Sequence, residues 1–269
     1  NPLRELATVK TTVTNQWAGV SSAGITAAYQ AEAAQVAEST ATLAQPEIKV
    51  HKAQALMKFS LEIEMDWPAM VTEFRSMLAE AKDDLEATKF LLGAGDGSNE
   101  PTGLIPALVA YDSGSSVLTP ATAETFAIDD VYAFVNSLAA KHRRRASWLA
   151  DLPMYNNVRQ LGTSHSHALW EYVGNGLPDK LLGYPVHEAS EMDSSWDATA
   201  TANNYVLAYG DFSKFYIVDR IGMVVDLIPH MMGANQRPTG ERALYCYWRN
   251  GSGLIDGNAM RLLNIATSA

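Results

Sequence analysis

The sequence predicts an α+β fold in which helices and strands are segregated along the chain. Three observations carry that expectation. Met57, Phe59, Leu61, Ile63 and Met65 alternate with Lys58, Ser60, Glu62 and Glu64, the period of a strand with one wet face. A long amphipathic helical pattern follows over 66–92. From residue 204 onward the chain is rich in strands, without the strand–helix alternation that a parallel sheet needs.

Composition sets the limits. The chain has 269 residues, 47% of them hydrophobic and 19% charged, which is enough apolar material for a substantial core. Lys and Arg number 20 against 30 Asp and Glu, a net charge of −10 that disfavours tight binding to nucleic acid. The lone cysteine, Cys246, excludes an internal disulfide and a cysteine-rich metal site. It lies in ALYCYW, an apolar run that reads as a strand with a buried thiol. No run of 18 apolar residues marks a transmembrane helix, and no signal-peptide pattern opens the chain. The first residue is Asn1, as removal of an upstream segment would leave it.

Taken in order, residues 1–16 (NPLRELATVKTTVTNQ) are polar, and Pro2 with four threonines argues for an extended arm. The next stretch, from Trp17, is rich in Ala, Ser and Thr and cannot build a core, so a protruding loop or two-stranded arm is expected. After the alternating strand, Asp66 is placed to cap a helix and Pro68 falls in its first turn. Trp67, Met70, Val71, Phe74, Leu78, Ala81, Leu85 and Leu92 form its apolar face, with Glu73, Glu80, Asp83, Asp84 and Glu86 opposite. A second helix is expected over Asp129–Arg143, its basic end Lys141–Arg145 (KHRRR) matching the negative end of the helix dipole. SWLADL reads as a strand, PMYNNVRQL as a short helix opened by Pro153, and RNGSG (249–253) as a turn or bend between late strands.

The glycines of FLLGAGDGSNEPTGLI (90–105) suggest a phosphate loop, but they follow a helix instead of opening one. Carbonyls and the negative dipole end face that segment, and Asp96 and Glu100 repel phosphate further. A C-cap at Gly93 with Gly95 and Gly97 in left-handed conformations accounts for the stretch as a corner. The spacing of an EF-hand is absent from DGSNE. His165 and His167 stand two apart in a Gly/Ser-flanked loop, and no third ligand is placed beside them. No nucleophile elbow occurs. The expectation is no catalytic, cofactor-binding or metal residue, and no cofactor.

The order of features resembles the major capsid proteins of tailed double-stranded DNA phages, with the Hong Kong 97 type of fold. The polar arm, the small-residue loop, LMKFSLEIEMDW and the long helix come first. LLGAGDGSNEPTGLI, SWLADLPMYNNVRQL (with Asp151-Leu152-Pro153), LLGYPVHEASEM and YGDFSKFYIVDRIGMVV then follow in the family's order. The resemblance implies an N-terminal arm (1–16), an extended loop (17–57) and a peripheral domain (58–105) with a spine helix at 66–92. An axial domain (106–240) and return strands (241–269) would complete the chain.

It implies a virion protein, assembled in a bacterial cytoplasm, whose pentamers and hexamers close an icosahedral head around DNA that it does not read by sequence. Decoration protein, portal and prohead protease are further implied partners, and membrane is not. Some relatives weld subunits through a Lys–Asn bond. Here Ala33 or Ala34 falls where the loop lysine would align, and Lys49, Lys52 and Lys58 lie on the returning strand. Asn235 is placed near the other partner, so no covalent cross-linking is expected. An encapsulin shell of the same fold is the alternative, disfavoured because residues 1–16 lack a helical apolar period. A metal-dependent enzyme using His165 and His167 is a more distant one.

Overall fold

The computed structural model describes residues 1–22, 29, 43–67, 69–111, 116–161, 170–171, 180–197 and 201–267. The chain opens with α1 (Pro2–Leu6), β1 (Thr8–Thr11), β2 (Gln16–Ala18), β3 (Ser21–Ser22), β4 (Leu43–Ala44) and β5 (Glu47–Lys49). Next come β6 (His51–Ser60), α2 (Leu61–Asp66), α3 (Met70–Leu92), α4 (Leu104–Tyr111) and β7 (Val117–Leu118). The middle holds α5 (Ile128–Ser137), α6 (Ala140–Arg143), β8 (Ser147–Ala150), α7 (Leu152–Leu161), β9 (Trp170–Glu171), β10 (Lys180–Leu181) and β11 (Tyr184–Glu188). The chain ends with β12 (Tyr205–Gly210), β13 (Phe215–Ile228), β14 (Glu241–Leu254) and β15 (Met260–Asn264).

Two sheets organise these elements. One has four strands in the order β1-β13-β14-β6, the other seven in the order β7-β15-β12-β8-β11-β10-β9. Two small ladders, β2 with β5 and β3 with β4, form a two-stranded arm between Gln16 and Lys49. The strands therefore divide between sheets in a way that chain order hides. Residues 241–269 do not return together, because β14 lies in the four-stranded sheet and β15 in the seven-stranded one. β13, inside the range expected for the axial domain, also belongs to the four-stranded sheet.

Several local expectations are corrected. The alternating strand stops at Ser60 instead of continuing to Met65, because its partner does: Glu241 pairs with Ser60, and before it Gly240 turns the chain at φ 72°. Leu61 donates its N–H to the Gly240 carbonyl, and Ser60 Oγ accepts from the Glu62 N–H to start α2. Asp66 consequently lies in α2, and the N-cap of α3 is Ala69. Pro68 lies outside the described residues. Residues 1–16 are not wholly extended, since α1 forms and buries Leu3 at 2% exposure.

The helix expected over Asp129–Arg143 is broken at Leu138 and Ala139, both in extended conformations. Leu138 turns into the core, and the Arg261 guanidinium takes the Ser137 carbonyl at 3.2 Å in place of the next helical N–H. RNGSG is not a turn but part of β14. Its glycines let another strand cross closely: a Cβ on Gly251 would lie 2.1 Å from the Lys49 carbonyl oxygen.

Helix α3 covers the four-stranded sheet along a single row. Met70, Phe74, Leu78, Lys82, Glu86 and Phe90 recur every fourth residue, and all are buried or half-buried. Four residues overshoot a turn by about 40°, so the row winds around the helix as the sheet beneath it twists. Phe59, Met70, Leu78, Leu244, Cys246 and Trp248 close the apolar cluster below. Burial raises the Cys246 thiol pKa, as suits a structural cysteine. Of the rest of the expected face, Val71 packs against this cluster, while Trp67 is 52% exposed, Leu85 38% and Leu92 44%.

Candidate functional site

The segment after α3 turns a corner. Gly93 is the C-cap of α3, but at φ −57°, so it is not left-handed. Gly95 takes φ 88°, and the left-handed position falls on Asn99 at φ 57° instead of Gly97. Gly103 lets the two limbs of the turn meet. Its N–H donates to the Gly93 carbonyl at 2.8 Å, and a Cβ there would lie 2.5 Å from the Gly93 nitrogen.

Two ion pairs brace this corner. Lys89 reaches Glu100 at 2.7 Å and Lys49 reaches Asp96 at 2.6 Å. Each ammonium holds its carboxylate below the ordinary range, with the Ala94 N–H assisting at Glu100.

A polar knot missed at the level of sequence lies where α1, α3 and the four-stranded sheet meet. Arg4 donates from Nε to Glu86 at 2.6 Å and from its two terminal nitrogens to Asp219, both at 2.9 Å. Asn250 Nδ2 donates to the other oxygen of Glu86 at 2.7 Å, and Lys82 Nζ lies 2.9 Å from that oxygen. Glu86, expected on the wet side, is 2% exposed. Its burial is compatible with charge because its partners surround it. One signal was available: Lys82 and Glu86 continue the four-residue row of Met70, Phe74 and Leu78.

The outer face of the four-stranded sheet is wet and carries cations among aromatic rings. Lys52 Nζ donates to Tyr245 Oη at 2.8 Å and lies 5.6 and 5.7 Å from the ring centres of Tyr245 and Tyr247. Those rings stack at 5.6 Å, and Tyr245 Oη donates to Gln54 at 2.9 Å. At the base of the arm, Lys49, His51, Lys52 and Arg249 share the lining of a cleft of about 420 Å³ with Asp96 and Asn99. Arg220 hydrogen-bonds Asn15.

The other singled-out residues fall in different places. Asn235 is exposed in the connection between β13 and β14. Lys58 is exposed on β6. His165, His167, Ala33 and Ala34 lie outside the described residues. Among the described residues, no three His, Cys, Asp or Glu side chains are grouped to hold a metal ion, and no helix is long and apolar enough to cross a membrane.

The geometry is that of a subunit with one sheet packed on both faces, a second sheet partly open to solvent, and a short ladder whose base packs on that second sheet through Ile48 and Trp17. A model of the phage capsid family matches residues 1–265, and the chain belongs to that family. It is a structural capsid shell protein, with the α+β fold of the Hong Kong 97 type.

Among solved structures, the capsid of a native gene transfer agent particle is 25% identical, with a TM-score of 0.81 over 99% of this chain and 90% of that one. A chain from Mycobacterium phage Bobi is 14% identical, with a TM-score of 0.68 over 100% of this chain and 90% of that one. One from Mycobacterium phage Ogopogo is 16% identical, with a TM-score of 0.63 over 98% and 91%. The two phage chains show the fold alone. No curated protein matches the sequence.

Proposed function

We propose that this chain is the major capsid protein of a DNA-filled phage head, arranged as pentamers and hexamers of an icosahedral shell. The observation that carries this reading is the family match across residues 1–265. The four-stranded sheet with α3 serves as the peripheral domain and the seven-stranded sheet as the axial domain. Residues 1–16 act as the N-terminal arm, with β1 joined to the four-stranded sheet, and the part of residues 17–57 that precedes β6 acts as the extended loop that overlaps a neighbouring copy. The chain works without catalysis, cofactor or metal, and enclosed DNA is held without sequence-specific contacts. Portal, prohead protease and decoration protein are its further partners, met during assembly in the host cytoplasm.

Negative-stain electron microscopy of particles from the natural source tests the reading. Icosahedral, DNA-filled heads with tails are expected. Closed shells without DNA or tails would move the assignment to an encapsulin, and particles of monomer or dimer size would end it. A denaturing gel of the same particles should show monomer only. A ladder of multimers would establish the covalent bond expected to be absent.

A further inference from the structure

Two features of the molecule have no use within one copy. The first is the basic run 141–145. Its account as the charged end of a long helix fails, because α6 is a single turn of four residues with little dipole to offset. Lys141, Arg144 and Arg145 are exposed, and among the described residues none of them has an ion-pair partner. They fall within one run of five residues.

The second feature is the outer shoulder of α3. Met77 (50% exposed), Ala81 and Leu85 (38%) form a four-residue row beside the buried one, and the sheet leaves it uncovered. Glu73, Glu80 and Asp84, three or four residues from Met77, Ala81 or Leu85, border it and are exposed. Among the described residues none of these three has an ion-pair partner, and Lys82 on the same helix is engaged by Glu86 at 2.9 Å.

We propose that the basic tip Lys141–Arg145 of one copy docks on the acid-bordered apolar shoulder of α3 in a neighbouring copy. The proposal rests on the reading of the chain as a shell subunit. The partner is a second copy because the charges match in number and sign, three against three, and because arginine suits a mixed surface. Its aliphatic stem covers apolar side chains such as Met77 and Leu85 while the guanidinium forks onto carboxylates. Complementary charges of this kind orient subunits during encounter and penalise wrong registers.

A charge swap tests it. Three full-length chains are expressed beside the parent: Lys141→Glu/Arg144→Glu/Arg145→Glu, Glu73→Lys/Glu80→Lys/Asp84→Lys, and the chain carrying all six changes. Shell yield is read by sedimentation and microscopy, and subunit folding by thermal melting. Each triple variant should lose about tenfold or more in yield, as like charges then face each other, and the swapped chain should recover most of it. Parental yield from either triple variant overturns the proposal, as does a swapped chain no better than the triples. Normal shells with altered DNA content would assign the tip to nucleic acid and overturn it too. If a triple variant fails to melt cooperatively, the milder pair Arg144→Gln/Arg145→Gln and Glu80→Gln/Asp84→Asn replaces it. Each should then make assembly less sensitive to added salt, and unchanged salt sensitivity overturns the proposal. Failure of the parent chain itself to form shells would instead strike the shell reading.

Discussion

The two sheets of this subunit are built to different standards of completeness. In the seven-stranded sheet, successive residues of β8 enter opposite cores: Trp148 and Ala150 pack with Phe134, Met154 and Tyr209, while Leu149 packs with Phe90, Leu104 and Phe215. β12 and β15 alternate in the same way through Leu207 and Ala208, and through Leu262 and Leu263. Both faces are covered from within the chain. In the four-stranded sheet, Leu244, Cys246 and Trp248 face α3 while Leu56, Tyr245 and Tyr247 face solvent. The first sheet needs nothing further. The second is covered by α3 and α4 on one side and by β5 at one end of the other, and leaves Leu56, Tyr245, Tyr247 and the shoulder of α3 toward solvent.

The largest effect should come from the finished sheet. Trp148 is fully buried, with its ring 4.4 Å from Tyr209 and 6.0 Å from Phe134. Trp148→Ala should cost about 3–5 kcal/mol in urea unfolding of the unassembled subunit. Leu56→Ala, on the wet face at 48% exposure, should stay within about 0.5 kcal/mol of the parent. Equal losses at the two sites would end the distinction between the sheets.

Next in size is the knot that ties the arm to the body. Glu86→Ala leaves Lys82 and Asn250 without that carboxylate and Arg4 with Asp219 alone, and should cost about 3 kcal/mol. It should also quicken proteolytic cutting within residues 1–11. A loss of stability with no change in cutting would mean that Glu86 serves the sheet alone and leaves the arm in place.

These two sites also mark what could be read from sequence. The alternation of Phe59 and its neighbours, the long helix, the buried Cys246 and the late strands were legible because local period and composition decide them. Where β6 stops was not, since Gly240, far along the chain, sets the end of its partner strand. Glu86 was misread because a carboxylate defaults to solvent unless distant partners are known, and Arg4, Asp219 and Asn250 lie far from it in the chain. The shoulder of α3 was assigned to the core for the complementary reason. Its apolar period is real, but the surface it serves lies outside the subunit.

A smaller effect separates glycines that serve close contact from those that do not. Gly103→Ala must displace backbone at Gly93 and Leu91 and should cost about 1–3 kcal/mol. Gly97→Ala meets open space and should change stability by less than about 0.5 kcal/mol. Reversal of that order would show that the corner yields more readily than its contacts imply.

Acidification offers a gentler probe of the same bodies. Burial lowers the pKa of His142, His187 and His51 below the ordinary 6.5. In the folded chain these rings hold fewer protons than in the unfolded chain, so their contribution is complete above 6.5 and declines as pH falls toward the folded values. His142, whose charge Asp256 and Asp211 favour and Lys141 and Lys214 oppose, is buried at 7% exposure. His142→Leu should therefore flatten part of the fall in melting temperature below pH 6.5. An unchanged slope would place the effect on the other two rings.

The smallest change is expected at the base of the arm, despite its short ion pair. Lys49 and Asp96 meet at 2.6 Å, but their side chains are 53% and 56% exposed, and water and salt screen such a pair. The base is held instead by the backbone ladder of β2 with β5 and by the close crossing over Gly251 and Gly253. Lys49→Ala should leave the urea midpoint unmoved at low and high salt alike. A midpoint that drops at low salt only would mean that charge, more than the ladder, fixes the direction in which the arm leaves the body.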